Sequence, residues 1–298
     1  MTRPLRIEYP GALYHVMSRG NARQEIFSDD SDRFLFLEVL EKATWYHNIL
    51  CHAYCLMDNH YHLLLETPEG NLSMAMRDIN GNYTQKYNKK NNSVGHLLQG
   101  RYKCHLIEKD PYLLQVARYI VLNPVRAKIT KDPSDYMWSS FRLTAGLQKS
   151  PKWLSTDWIL GMFSDQKKES QRKYQKFIYN GIGLNSPLTE IREGIILGTP
   201  QFTNAIWNEF SEAEKIKEIK TTDRMINRPS LDDIFAKVKT IKDRNIMINF
   251  AYKGTAYTIT EIANYLKLHR STVSKQIKEN PNKIQKTDNS RPDPKFDI

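Results

Sequence analysis

Two strongly apolar runs, Ile49 to Met57 and His60 to Glu66, are separated by only Asp58 and Asn59. Asp-Asn is turn chemistry, so the runs are expected to fold back on each other as a hairpin. Side chains alternate along a strand, which puts His60 and His62 on one face and Tyr61, Leu63 and Leu65 on the opposite, core-seeking face. Two adjacent imidazoles on a stiff strand make a clamp for a divalent metal, since imidazole suits Zn, Mn, Fe, Ni and Cu. Taken alone, such a pair is more often two packed or half-exposed histidines, so its meaning depends on the rest of the chain. Cys51 and Cys55, four apart in the same strand, are expected to face the same way and to serve packing.

The hairpin sits inside a longer pattern. Residues 11–19 read as a strand ending at Gly20. Ser28 or Asp29 caps a helix whose apolar stripe is Phe34, Leu37, Leu40 and Ala43 or Trp45. After the hairpin, Leu72, Met76, Ile79, Tyr83 and Tyr87 recur at helical spacing, and residues 101–108 form a fourth strand. Asp110-Pro111 opens a third helix, with Pro in its first turn, that runs to Asn123 and is stopped by Pro124. The order β-α-β-β-α-β-α predicts an α+β fold: a ferredoxin-like β-α-β-β-α-β sheet domain with one added helix. From about residue 150 the periodicity is helical, carried by Trp153, Trp158, Ile159 and Phe163, then Tyr174, Phe177 and Ile178. Ser230 caps a further helix bearing Leu231, Ile234, Phe235 and Val238.

The 298 residues carry 44 Lys and Arg against 33 Asp and Glu, a net charge of +11. That excess leans toward polyanions, because Lys and Arg neutralise phosphates and release counterions. No run is long and apolar enough to span a membrane, and Met1 to Glu8 lack the apolar stretch of a secretory signal. The three cysteines are no disulfide framework. The expected setting is a reducing cytoplasm, with no membrane partner.

On the third helix Tyr119 and Asn123 are i and i+4 and share a face. With His60-Tyr-His62, the segment Tyr119-Ile-Val-Leu-Asn-Pro-Val-Arg126 resembles the single-tyrosine HUH transposases of the IS200/IS605 type, in particular the REP-associated tyrosine transposases. The resemblance covers roughly residues 5–145. It is carried also by Tyr14-His-Val-Met-Ser-Arg-Gly-Asn21, Leu56-Met-Asp-Asn-His-Tyr-His-Leu63, Gly100-Arg-Tyr-Lys103 and Tyr136-Met-Trp-Ser-Ser140. Five motifs in the family's order are specific, whereas any one alone is not.

The resemblance implies that His60, His62 and Asn123 hold Mg²⁺ or Mn²⁺, which polarises the scissile phosphate. It implies Tyr119 as the nucleophile, leaving a 5′-phosphotyrosyl link and a free 3′-hydroxyl. The expected partner is single-stranded or hairpin DNA, and the expected state a monomer or homodimer. His₂Asn is softer than hard Mg²⁺ prefers, so Mn²⁺ suits the site at least as well. Tyr61 stands where aliphatic residues are commoner in the family. His15 either approaches the site or is simply a packed sheet histidine, and Glu66 either orients the histidine pair or is an edge carboxylate. Arg19, Arg23, Arg101 and Lys103 flank strand ends, where they serve as phosphate contacts or as solvated charges.

Residues 258–279 resemble a helix-turn-helix, with Ile262, Ala263, Leu266, Leu268, Val273 and Ile277 inside. The second helix would present Arg270, Ser271, Thr272, Lys275 and Gln276 to a groove. The usual turn glycine is Lys267 here. Between Tyr252 and Lys283 six Lys and Arg face two Glu, a local +4. The expected organisation is a catalytic domain at 1–150, a helical extension at 151–228, an all-helical helix-turn-helix domain at 229–283 and a disordered tail at 284–298. Two other functions stay open on the residues alone: a non-catalytic DNA-binding regulator, and a metal-dependent phosphoesterase that uses water.

Overall fold

Strand β3 (His60–Thr67) is held on both sides: His62 lies opposite Cys55 of β2 (Leu50–Met57) and opposite Met17 of β1 (Ala12–Arg19). All three run antiparallel, and β4 (Lys103–Ile107) adds antiparallel to the far side of β1. The computed structural model describes residues 7–191, 194–215, 230–236, 238, 240–253 and 257–279. They fall into two compact units, one holding 7–215 and the other 230–279.

The first unit is built on a five-stranded sheet in the order β2-β3-β1-β4-β5. Strand β5 (Ile196–Leu197), which no local pattern announced, runs parallel to β4 beyond the expected ferredoxin-like order. Helices α1 (Asp30–Tyr46) and α2 (Leu72–Lys90) cover one face of the sheet, and α3 (Lys109–Val121) packs on β2 and β3. Alternation explains the division. Tyr61, Leu63 and Leu65 are fully buried, and Tyr61 meets Phe36 of α1 with ring centroids 4.6 Å apart. Among the described residues no helix is long and apolar enough to cross a membrane.

Several expectations are corrected. The buried stripe of α1 is Phe36, Val39, Leu40 and Ala43, while Phe34 and Trp45 are exposed. Phe34 instead meets Trp138 edge to face at 5.0 Å, a contact with a segment a hundred residues on. A β-bulge between Cys51 and Ala53 shifts the register of β2 by one residue. Cys51 therefore pairs with Leu65 and Cys55 with His62, so the two thiols point to opposite faces. Pro124 does not simply end α3: Leu122 caps it, and a short helix Asn123–Arg126 follows with Pro124 in its first turn. Trp153 lies in a turn rather than a helix, beside Leu154, which bridges Cys51; helix begins at Asp157.

The motif Tyr136 to Ser140 lines the outer edge of β2. Leu56 N–H donates to Trp138 O at 2.9 Å, Ser140 N–H to Tyr54 O at 3.0 Å, and Tyr136 Oη to Leu56 O at 2.6 Å. An edge strand that would otherwise present unpaired backbone is closed in this way.

The second unit has its own core of Ile234, Phe235, Ile248, Ala251, Ile262, Ala263 and Val273. Helix Ile259–Leu266 starts on a reciprocal capping box between Thr258 and Glu261. It ends on Lys267 in the left-handed conformation, φ 52°, the position where glycine is ordinarily favoured. After a short turn, helix Arg270–Glu279 leaves Arg270, Ser271, Thr272 and Lys275 exposed and Gln276 half-buried.

Candidate active site

The face of the sheet opposite Tyr61 gathers four histidines. His60 and His62 come from β3, His15 from β1 and His105 from β4, directly opposite His15. His15 Nε2 lies 2.9 Å from His62 Nδ1, with the rings stacked at 5.1 Å. The rings of His60 and His62 meet edge to face at 5.0 Å. Burial lowers the pKa of all four, His62 to about 3, with His60 and His105 adding to the effect at His62. Neutral imidazoles are the form that ligates metals.

A residue read only as turn chemistry decides which atom of His60 is free. Asn59 Nδ2 donates to Arg23 O at 3.1 Å, which turns Asn59 Oδ1 toward His60 Nδ1 at 2.7 Å. An amide oxygen only accepts, so Nδ1 carries the proton and Nε2 keeps its lone pair. His15 does not point at solvent either: one of His15 Nε2 and His62 Nδ1 must donate to the other. His15 Nδ1 and His105 Nδ1 are buried without a hydrogen-bond partner.

Tyr119 comes to this face from α3. Its ring stands edge-on to His62 at 6.0 Å and to His15 at 5.8 Å. Burial raises the phenol pKa; the Arg126 guanidinium, 5.4 Å from the ring, and a hydrogen bond with Ser186 oppose the rise. Arg126 is anchored in turn, its Nη2 donating to Leu184 O at 2.7 Å. Neither Arg126 nor Ser186 was anticipated as part of the site, although Arg126 closes the same motif as Tyr119.

Asn123 uses its amide nitrogen locally, donating to Tyr119 O at 3.1 Å and Ile120 O at 3.2 Å at the end of α3. That leaves Oδ1 as its ligand-capable atom. Among the described residues no group of three or more His, Cys, Asp or Glu side chains is placed to hold a metal. A His₂Asn set lies outside those residue types, and its donors fit a divalent cation: two neutral imidazoles and one amide oxygen. Glu66 is not turned to the histidine pair; it accepts from His52 Nε2 at 3.1 Å and from Lys109 Nζ at 2.6 Å.

The expected phosphate contacts are distributed unevenly. Arg19 lies directly opposite His60, and Lys103 is two residues from His105 on the same strand face. Arg19, Arg23, Arg101 and Lys103 are all exposed, and Arg19 Nε donates to Gln99 Oε1 at 2.6 Å. Arg270, Ser271, Thr272, Lys275 and Gln276 belong to the second unit.

Strand order, histidine face and tyrosine helix together define a sheet-based tyrosine domain. Residues 9–123 match the family described as Transposase IS200 like. Among solved structures it is similar to a REP-associated tyrosine transposase bound to a REP hairpin. The identity is 18%, covering 52% of this chain and 92% of that one, with a TM-score of 0.43. It is also similar to a candidate transposase from Deinococcus radiodurans R1, 17% identical, covering 40% of this chain and 95% of that one, TM-score 0.30. No curated protein matches this chain.

Proposed function

We propose that this chain nicks and rejoins single-stranded DNA through a covalent bond to Tyr119. The observation that carries the reading is the edge-on approach of Tyr119 to His62, 6.0 Å between ring centroids, on the face that also holds His60. A DNA-binding protein without chemistry has no use for a tyrosine there, and a hydrolase that activates water has none either.

Tyr119 Oη attacks the scissile phosphorus, forming the Oη–P bond as the P–O3′ bond breaks. The phenol gives up its proton and the departing O3′ takes one, leaving a free 3′-hydroxyl. Arg126 favours the phenolate and any charge that builds on it. His60 Nε2, His62 and Asn123 Oδ1 would hold Mg²⁺ or Mn²⁺, which when bound withdraws charge from the phosphate oxygens. His15 and Asn59 orient the two imidazoles. The phosphotyrosyl bond keeps the energy of the phosphodiester, so a second 3′-hydroxyl can reverse the step and rejoin the strands.

The five motifs shared with REP-associated transposases favour hairpin or repeat DNA as the substrate. The exposed polar face of helix Arg270–Glu279 favours a second DNA contact from the C-terminal unit. The test is incubation of end-labelled single-stranded hairpin DNA with Mn²⁺ and either the wild-type chain or Tyr119→Phe. A denaturant-resistant adduct with the wild type alone is expected. Cleavage that survives in Tyr119→Phe would mean hydrolysis by water, and specific binding with no cleavage by either protein would mean a regulator.

A further inference from the structure

Beside Tyr119, on the side of the 184–190 segment, lies a cavity of about 280 Å³ whose walls include Gln115, Arg118, Arg126, Ser186 and Glu190. Arg118 sets its guanidinium over the Phe177 ring at 4.2 Å, a stacking contact that restrains the head group. Arg126 is tethered by Leu184 O and Asn185 O at 2.7 and 3.4 Å. Neither arginine makes an ion pair with a carboxylate among the described residues. Glu190, the one acid of the wall among the described residues, accepts from Tyr112 Oη at 3.2 Å. Arg126 also borders an adjoining cavity of about 460 Å³ that includes Lys128.

We infer that the Arg118–Arg126 cavity is a phosphate-binding subsite. It takes the backbone phosphodiester of single-stranded DNA next to the one that Tyr119 attacks. Two guanidiniums held by the fold rather than by carboxylates match an anion, and a planar fork suits two phosphate oxygens at once. The cavity is polar, open on one side and shares Tyr119 as a wall, so a strand seated in it passes the nucleophile. Gly181 shapes the subsite: a Cβ there would fall 2.3 Å from Arg118 Cδ. The inference rests on the reading of Tyr119 as nucleophile only for the choice of phosphate, not for the binding itself.

The test is equilibrium binding, in EDTA so that no cleavage intervenes, of a fluorescein-labelled single-stranded hairpin DNA to the full chain. Arg118→Gln should weaken binding roughly tenfold. It should also flatten the dependence of log affinity on log salt by about 0.7, the share of one phosphate contact. Gly181→Ala, which keeps the charge and displaces it, should weaken binding in the same direction. Glu190→Gln leaves the Arg118–Phe177 stack untouched and should tighten binding by removing a repelling charge from the wall. A scan of single methylphosphonate linkages should find one position whose neutralisation costs the wild type about tenfold and Arg118→Gln nothing. Unchanged affinity and slope in Arg118→Gln, or weaker binding by Glu190→Gln, overturns the subsite. A missing Tyr119 adduct with these binding effects intact overturns only the nucleophile.

Discussion

Asn59 holds His60 in a single tautomer: its oxygen accepts from Nδ1 at 2.7 Å while its nitrogen is tied to Arg23 O. The arrangement keeps the proton on Nδ1 and the lone pair on Nε2 before a cation arrives.

Asn59→Ala therefore lowers Mn²⁺ affinity by roughly 10- to 100-fold, the usual size of a lost orienting partner. Asn59→Asp, which keeps the acceptor, retains most of it. Calorimetric titration of each variant with Mn²⁺ measures this. Equal affinity for wild type and Asn59→Ala would show that the amide does not set the ligand.

Two glycines have opposite sensitivity to a methyl group. A Cβ on Gly20 would lie 2.0 Å from Gln24 O, backbone that cannot step aside, whereas Gly81 in α2 meets nothing within 4 Å. Gly20→Ala should cost about 1–3 kcal/mol by overpacking, and Gly81→Ala should add about 0.5–1 kcal/mol through better helix propensity. Urea unfolding midpoints decide both. A destabilised Gly81→Ala would contradict the open space beside it.

Acid should unfold the metal-free protein early. His15, His60, His62 and His105 are all lowered by burial, His62 to about 3. The unfolded chain takes up their protons below about pH 6.5 while the folded chain does not, so stability is full above that pH and falls as the pH drops. For His62 the loss continues to about pH 3. Each such group contributes a slope of up to about 1.4 kcal/mol per pH unit. Urea midpoints measured between pH 8 and pH 5 should fall for the wild type and fall less for His15→Phe. A flat profile would mean the histidines are solvated and charged.

The hairpin, the order of the first seven elements and the common face of His60 and His62 were legible in the sequence, because alternation and turn chemistry are local signals. What was not legible depends on distant contacts. The bulge that turns Cys51 away from Cys55 leaves no mark in an apolar run. Phe34 sits at a stripe position but packs on Trp138, and β5 is two residues long, too short for any period. Asn59 looked like a turn residue because its bond to His60 uses an atom that turn propensity ignores. Arg126 stood inside a named motif, yet its place over Tyr119 follows from the short helix after α3.

In the C-terminal unit, Lys275→Gln should weaken binding of duplex DNA and reduce the salt slope by about 0.9. Adduct formation by Tyr119 on single strands should stay unchanged. Salt-dependent fluorescence anisotropy reads the first and gel electrophoresis the second. An unchanged slope would remove this helix from the DNA contact.

Mass spectrometry of the covalent product decides whether Tyr119 is the nucleophile. After reaction with hairpin DNA and Mn²⁺, nuclease trimming and proteolysis, the peptide containing Tyr119 should carry a nucleotide through its 5′-phosphate. The released strand should end in a 3′-hydroxyl. A nucleotide on any other residue, or a link through a 3′-phosphate, would rule out Tyr119 as a nucleophile that takes the 5′ end.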